Sequence, residues 1–400
     1  MRRERRAAAL ALAAVLAGTA AFPASAAVQA AREPAEAGKS AAELNGYTEE
    51  RWAALMDNRL EYDEIDELVH SFNPAIVSAW SGFTDNIRLM QTIRDNLHAR
   101  QRDMRQLKEN AKAAGDQADY GNYAMQEAIL SATAKGIGAS ADKLSREVSA
   151  SNRPLRVAER QVSVAAKRLM ISYNGLRTQR AIASESATLY RRLRDDAAQR
   201  LSLGLGTALD LSSAETALMR AESQLVSLDA GAAKLKKSLI LLCGWKEDAD
   251  PEIGETPAAD AARLEGMDPE TDLRAAIAKN GTLIDFRNAS HVKSTTSWEL
   301  RADSEEAMNQ NLLVNLREMQ QDALAKQAGL DAAQSGMQAA ELSKDAAELQ
   351  YRMGMLSVSA YLGALKQYQA ARTELNTADS SFFEALELYD WALQGNSSVE

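Results

Sequence analysis

An apolar ladder of period seven keeps its register twice, 150 residues apart, and constrains this 400-residue chain more than any other feature. Alternating steps of four and three residues from Leu312 to Tyr351 meet apolar side chains at ten of twelve positions. The same steps from Val162 to Leu201 again meet ten of twelve, and the charged interruptions Arg194 and Lys344 coincide. A second ladder, Tyr361 to Ala392, is apolar at all ten positions, as is its counterpart from Leu211 to Leu242. A seven-residue repeat of this kind specifies helices that coil around each other left-handedly. Its recurrence at a fixed offset specifies an internal duplication.

Between the two ladders of each copy lies a glycine-centred break, "LGLGTALDLSSAE" (203–215) and "MGMLSVSAYLGAL" (353–365). Gly204 and Gly354 supply the backbone freedom that a reversal between antiparallel helices requires. Each unit therefore reads as a long hairpin whose arms reach roughly 60–70 Å at 1.5 Å per residue. Alanine, leucine, glutamate and glutamine dominate the composition, and aromatic residues are 5%, which argues against a compact core built on large rings. The fold class that follows is all-α, a pair of long antiparallel coiled-coil hairpins.

The remaining sequence sets the boundaries. Residues 1–26 read as a secretory signal, with arginines at 2, 3, 5 and 6, an apolar run at 7–21 and an A-x-A site ending at Ala26. Removing that leader takes the formal net charge from −10 to about −13, an acidic balance that argues against nucleic acid and anionic lipid. Residues 27–46 read as a flexible leader, and 47–244 as a first helical repeat with its tip near 203–210. Residues 245–271, with three prolines and many acids, read as a linker. Residues 272–395 read as a second repeat with its tip near 353–360, and 396–400 as a tail. Asn73 and Asn280 mark equivalent helix starts, but at an offset of 207, so the first unit is 57 residues longer upstream of its long arm. That extra stretch, 115–150, reads as helix and loop, with "GDQADYGN" a break and "KGIGAS" a weak point.

The layout resembles the TolC-like outer-membrane efflux family. The resemblance is carried by "LGLGTALDLSSAE" and "YRMGMLSVSAYLGALKQYQAARTEL", each after a long polar-alanine helix. Each unit also closes on a glycine, at Gly244 in "LLCGW" and Gly395 in "ALQG". The likeness covers roughly residues 60–395. It implies a homotrimer in which two hairpins per chain form a hollow twelve-helix barrel in the cell envelope. It implies also that the tips meet a periplasmic adaptor protein coupled to an inner-membrane pump. Carried over, the tip residues are Leu203, Gly204, Leu205, Gly206, Thr207 and Asp210, with Met353, Gly354, Met355, Leu356 and Ser357. Two departures stand out. A membrane barrel of this family needs paired strands of about ten alternating residues, and neither 115–150 nor "HVKSTTSWELRADSEE" (291–306) offers a pair, so the β-barrel is expected to be reduced or absent. The positions matching the family's narrowing aspartates hold Ala360 and Gly363, and Asp210 is the only acid near either tip at the corresponding place, so a carboxylate gate is unsupported.

Chemistry of other kinds finds little footing. His70, His98 and His291 have no metal-ligand spacing, and no phosphate loop or nucleophile elbow is present. The single Cys243 reads as a small packing residue, with an intermolecular bridge the alternative. Trp52, Trp80, Trp245, Trp298 and Trp391 fall near element ends, where packing is expected. The sequence thus points to a non-enzyme without cofactor or metal. It is either a passive conduit or a coiled-coil scaffold of the envelope that kept the hairpins and lost the channel. A periplasmic adaptor would need β-rich flanks, which are not visible.

Overall fold

The computed structural model describes residues 42, 46–114, 116–145, 152–289 and 295–396. The secretory signal and His291 lie outside the described residues, as does almost all of the expected leader.

Six long helices dominate: α3 (Pro74–Ala114), α4 (Gln117–Ser145), α5 (Arg153–Ser202), α6 (Ala208–Leu242), α10 (Thr295–Arg352) and α11 (Val358–Leu393). Shorter helices α1 (Glu49–Leu55), α2 (Ile65–Phe72), α7 (Ala261–Glu265), α8 (Pro269–Lys279) and α9 (Gly281–Asn288) gather where the long ones meet. Among the described residues the sole strand pairing is the two-residue parallel contact of β1 (Arg59–Leu60) with β2 (Glu252–Ile253). No described helix is long and apolar enough to cross a membrane.

The helices form two duplicated hairpins, α5/α6 and α10/α11. Polar-alanine helices of this length are held by packing rather than by propensity, and the ladders supply that packing. Ala166, Ala183, Ala187, Tyr190 and Ala197 are buried on α5, and Leu312, Leu316, Ala323, Ala333, Ala347 and Tyr351 on α10. Alanine in the seam lets the helices approach closely, so the core is a thin strip rather than a globular centre. The hairpins pack through α11 against α5, giving the order α10, α11, α5, α6. The outer helices α6 and α10 each pack mainly on the inner helix of their own hairpin.

Two apolar clusters mark the equator, the level where the short helices join the long ones. One joins Leu60, Ile65, Leu68 and Val69 to Met170, Leu239, Ile240, Cys243 and Ile253. The other joins Leu264 and Leu283 to Leu312, Leu316, Leu386 and Tyr389. The adjacent Phe382 and Phe383 of α11 each enter one of them and so bind the two repeats together. Trp80 and Trp245 pack against the first cluster, Trp391 is buried, and Trp298 is exposed.

The duplication extends to backbone detail at the equator. Gly244 and Gly395 follow α6 and α11 with positive φ of 85° and 94°. A Cβ on Gly244 would overlap the Phe72 carbonyl, and one on Gly395 the Lys279 carbonyl. Each carbonyl belongs to the residue before the asparagine that opens the next helix. Asn73 Oδ1 accepts from Ile76 N at 3.2 Å, and Asn280 Oδ1 from Leu283 N at 3.1 Å. Asn73 also donates through Nδ2 to Leu242 O at 2.8 Å, joining the end of α6 to the start of α3. The end of α6 thus abuts the start of α3, and the end of α11 the start of α9.

Beyond the equator the repeats part company. Among the described residues the second carries only the eight-residue α9 before α10. The first carries a further antiparallel pair, α3 of 41 residues and α4 of 29. Where the sequence suggests a break, α4 already begins at Gln117, with Asp116 Oδ1 accepting from Asp119 N at 3.0 Å. "KGIGAS" does not interrupt α4. There Gly138 lies so close to α3 that a Cβ would come within 3.2 Å of Arg94 Cδ.

Candidate functional site

The tips of the two hairpins lie together at one end of the molecule, and every residue there follows from how a helix must stop and restart. Both α5 and α10 end by the same hydrogen-bond pattern. Gly204 N donates to Leu201 O at 3.0 Å and Leu205 N to Arg200 O at 2.8 Å. Gly354 N donates to Tyr351 O at 2.9 Å and Met355 N to Gln350 O at 2.9 Å. The left-handed glycines, φ 71° and 73°, satisfy the last carbonyls of each helix. The next helices open on hydroxyl caps: Thr207 Oγ1 accepts from Asp210 N at 3.1 Å and Ser357 Oγ from Ala360 N at 3.3 Å.

The two tips differ in one respect. At the first, the Asp210 carboxylate accepts from Thr207 N at 3.2 Å and from Thr207 Oγ1 at 2.7 Å, completing a reciprocal cap. At the second, the corresponding position is Ala360 and offers no carboxylate. Asp210 is thus held by its own helix terminus.

Between the turns the side chains sort into an outer rim and an inner floor. Leu203, Leu205, Met353 and Met355 point outward, with Leu205 77% and Met355 66% exposed. Gly206 is hemmed in, since a Cβ there would stand 3.1 Å from Arg200 Cβ. Leu356 turns inward and packs against a shared core of Leu193, Ala197, Leu218, Tyr351, Val358 and Tyr361. Sequence reasoning missed Leu209, which joins the outer rim at 76% exposure. The ladder itself carried the signal, because a seam through Leu211 and Ala214 places position 209 off it.

Sequence reasoning also missed the clasp that holds the tips together. Tyr351 donates its hydroxyl hydrogen bond to Asp196 of α5, and Arg200 pairs with the same carboxylate at 3.1 Å. The Arg200 guanidinium lies 4.3 Å from the centre of the Tyr351 ring, which stacks on Tyr361 with centroids 4.9 Å apart. Burial, and then the hydrogen bond to Asp196, hold the Tyr351 phenol far above its ordinary range. It therefore remains a donor at any physiological pH. Higher on the hairpins, Tyr190 donates to Gln369 at 2.8 Å, and Arg372 pairs with Glu185. The ladder interruption Lys344 is used rather than merely tolerated: its ammonium stands 4.8 Å from the centre of the Tyr368 ring.

Among the described residues no group of His, Cys, Asp and Glu is placed to hold a metal. An open groove between α6, α10 and α11 is lined by polar and small residues, among them Gln224, Lys326, Lys366, Gln369, Thr373 and Glu374. What the tip can do chemically is present a rigid pair of turns with an apolar crown. A crown this exposed has the character of a contact surface.

No family model matches the chain, and no curated protein does. Among solved structures it is similar to the outer membrane protein VceC from Vibrio cholerae, at 17% identity and a TM-score of 0.47, over 66% of this chain and 76% of that one. It is similar to the Campylobacter jejuni CmeC outer membrane channel at 11% identity and a TM-score of 0.47, over 88% and 90% of the two chains. It is similar also to CusC at 13% identity and a TM-score of 0.49, over 84% and 92%.

Proposed function

We propose that this chain is a wall segment of a passive conduit in the cell envelope. In this reading three copies close into a hollow ring of helices, and the tips dock a partner that supplies the driving force. One observation carries it: the four-helix layer has two open edges, α6 and α10, and both bear exposed large apolar residues at matched heights. Met219 on α6 is 62% exposed and Leu342 on α10 is 72% exposed. Both stand about 17 Å from their tips at 1.5 Å per residue. Leu209 and Leu349 are exposed in the turn or so nearest the tips. Two different edges that complement each other make a head-to-tail contact, which closes into a ring when the rotation permits.

Helix thickness sets the bore for a given number of copies. At a spacing of about 10 Å, four helices close on a radius of about 7 Å, which their own side chains fill. Twelve close on about 19 Å and leave a passage of about 28 Å, allowing for helices about 10 Å thick. The polar groove between α6, α10 and α11 suits a wet wall. The exported leader read from the sequence suits an envelope location, and the resemblance carried by the two tip motifs suits an efflux or secretion system with a periplasmic adaptor and an inner-membrane pump.

The test is the absolute mass of residues 27–400 in detergent-free buffer by light scattering after size exclusion. A trimer is expected; a monomer or dimer would overturn the conduit. Docking is tested by Leu205→Asp with Met355→Asp in the full chain, expected to abolish capture of envelope partners while leaving mass unchanged. The second reading, a scaffold or spacer, is favoured by the near-absence of strands among the described residues. A stable monomer with both hairpins folded would select it.

A further inference from the structure

The two tips share their turn but differ in sulfur. Where the first carries Leu203 and Leu205, the second carries Met353 and Met355 at the equivalent places, 150 residues on. Met353 is 54% and Met355 66% exposed. Among the described residues five methionines are more than half exposed. The other three, Met56, Met125 and Met219, stand singly at the end of α1, on α4 and on α6. The one thiol of the chain, Cys243, is fully buried, so it cannot draw off an oxidant first. The sulfur that solvent reaches is thioether, and the second tip holds two such groups within three residues.

A thioether reacts with peroxide by a simple oxygen transfer. A sulfur lone pair forms the S–O bond, the O–O bond of the peroxide breaks, and water leaves. The thioether is oxidised to a sulfoxide and the peroxide is reduced. The side chain thereby passes from apolar to polar, and sulfoxide reductases reverse the step. An exported chain, as the leader read from the sequence implies, meets peroxide away from the reducing pools of the cytoplasm. We propose that Met353 and Met355 form a reversible oxidation site that turns the crown of the second tip from apolar to polar and so weakens its contact with a docked partner. The proposal rests on the docking reading above.

The turn survives the change because neither methionine side chain holds it together. Met353 N donates to Leu349 O at 3.1 Å and Met355 N to Gln350 O at 2.9 Å, and Gly354 takes the left-handed position between them. The inward packing of this tip belongs to Leu356. An added oxygen therefore meets solvent, and what changes is the surface alone. A partner seated on the crown must then strip water from a sulfoxide oxygen and replace the hydrogen bonds it loses. The first tip, with leucine at both places, takes no part, so oxidation grades the contact rather than abolishing it.

The experiment treats the purified full chain with graded hydrogen peroxide and maps the added oxygen by peptide mass spectrometry. Met353 and Met355 are expected to react nearly as fast as in the guanidinium-unfolded chain, and at least about tenfold faster than the buried Met170 and Met267. If they lag with the buried pair, the inference is overturned. Retention on a phenyl matrix, which stands in for an apolar partner, is read on the same samples. Oxidised protein should elute earlier with unchanged helical circular dichroism, methionine sulfoxide reductases should restore its retention, and Met353→Leu with Met355→Leu should remove most of the shift. A shift of the same size in that leucine variant would place the effect on other methionines and overturn the inference. The docking reading falls separately, if Leu205→Asp with Met355→Asp captures envelope partners as well as the unaltered chain does. That result would overturn the effect on a partner while leaving the oxygen map standing.

Discussion

Replacing Gly244 by alanine is expected to destabilise the fold by about 3–6 kcal/mol, whereas the same change at Gly204 costs about 1–2 kcal/mol. Both residues have positive φ, 85° and 71°. An alanine held in the left-handed region costs about 1–2 kcal/mol, so this part is common to both sites. The surroundings differ. A Cβ on Gly204 meets nothing within 4 Å, whereas one on Gly244 overlaps the Phe72 carbonyl and side chain. Relieving that overlap requires the α2–α3 junction to move, at about 1–3 kcal/mol for forcing extra volume into a packed site. The movement strains the 2.8 Å bond from Asn73 Nδ2 to Leu242 O, worth about 1 kcal/mol more. Gly395→Ala and Gly354→Ala form the matching pair in the second repeat. The assay is guanidinium unfolding followed by helical circular dichroism, at one protein concentration so that association does not shift the midpoints. If the equatorial and tip substitutions cost the same within about 0.5 kcal/mol, the close approach of the α6 end to the Phe72 carbonyl is refuted.

Other consequences can be measured in the same way. Tyr351→Phe removes a hydrogen bond to a carboxylate and should cost about 1.5–3 kcal/mol locally, seen as faster amide exchange in the last turns of α5 and α10; unchanged exchange there would remove the clasp. Ring nitrogen Nδ1 of His70 meets Glu159 Oε1 at 2.8 Å, and Trp80 Nε1 donates to Glu159 Oε2 at 2.9 Å. The bond to Glu159 raises the His70 pKa despite opposing burial, while burial of Glu159 is outweighed by its bonds from His70 and Trp80, so its pKa falls. The His70 contribution is complete below the ordinary histidine pKa and is lost as pH rises through the raised value. Unfolding midpoints should therefore decline slightly between about pH 6 and 8, and His70→Gln should flatten that decline; an unaltered slope would count against the pairing. Cys243 is buried, which pushes its thiol up to about 12. Maleimide labelling should be negligible in the native protein at neutral pH and fast in denaturant, and fast native labelling would show the equatorial cluster to be open.

The hairpins were legible because their physics is periodic. A ladder through Leu312, Leu316 and Ala323 leaves a seam that nothing but a partner helix can cover, and those three residues are buried. The tip turns were legible because Gly204 and Gly354 sit where the ladder stops. The equivalence of Asn73 and Asn280 was legible too, and both cap helices by the same bond. What stayed hidden is contact between distant segments. Tyr351 and Asp196 are 155 residues apart, and no period links them. The composition of 245–271 gives no hint that Ile253, Leu264 and Met267 are buried, or that Arg177 donates to Ile253 O at 3.3 Å. In "KGIGAS" the low helix propensity of glycine misled, because Gly138 gives α3 room to approach and packing outweighs propensity.

The unequal repeats have a consequence for stoichiometry. A ring of three such chains would present six nearly equivalent turns at the tip end and only three arms at the other. A partner meeting the tips could bind six times in two slightly different sites, told apart by Asp210 against Ala360. Anything meeting the arms would find three sites of one kind. Counting bound molecules at each end would therefore tell which end a partner occupies before any contact is mapped.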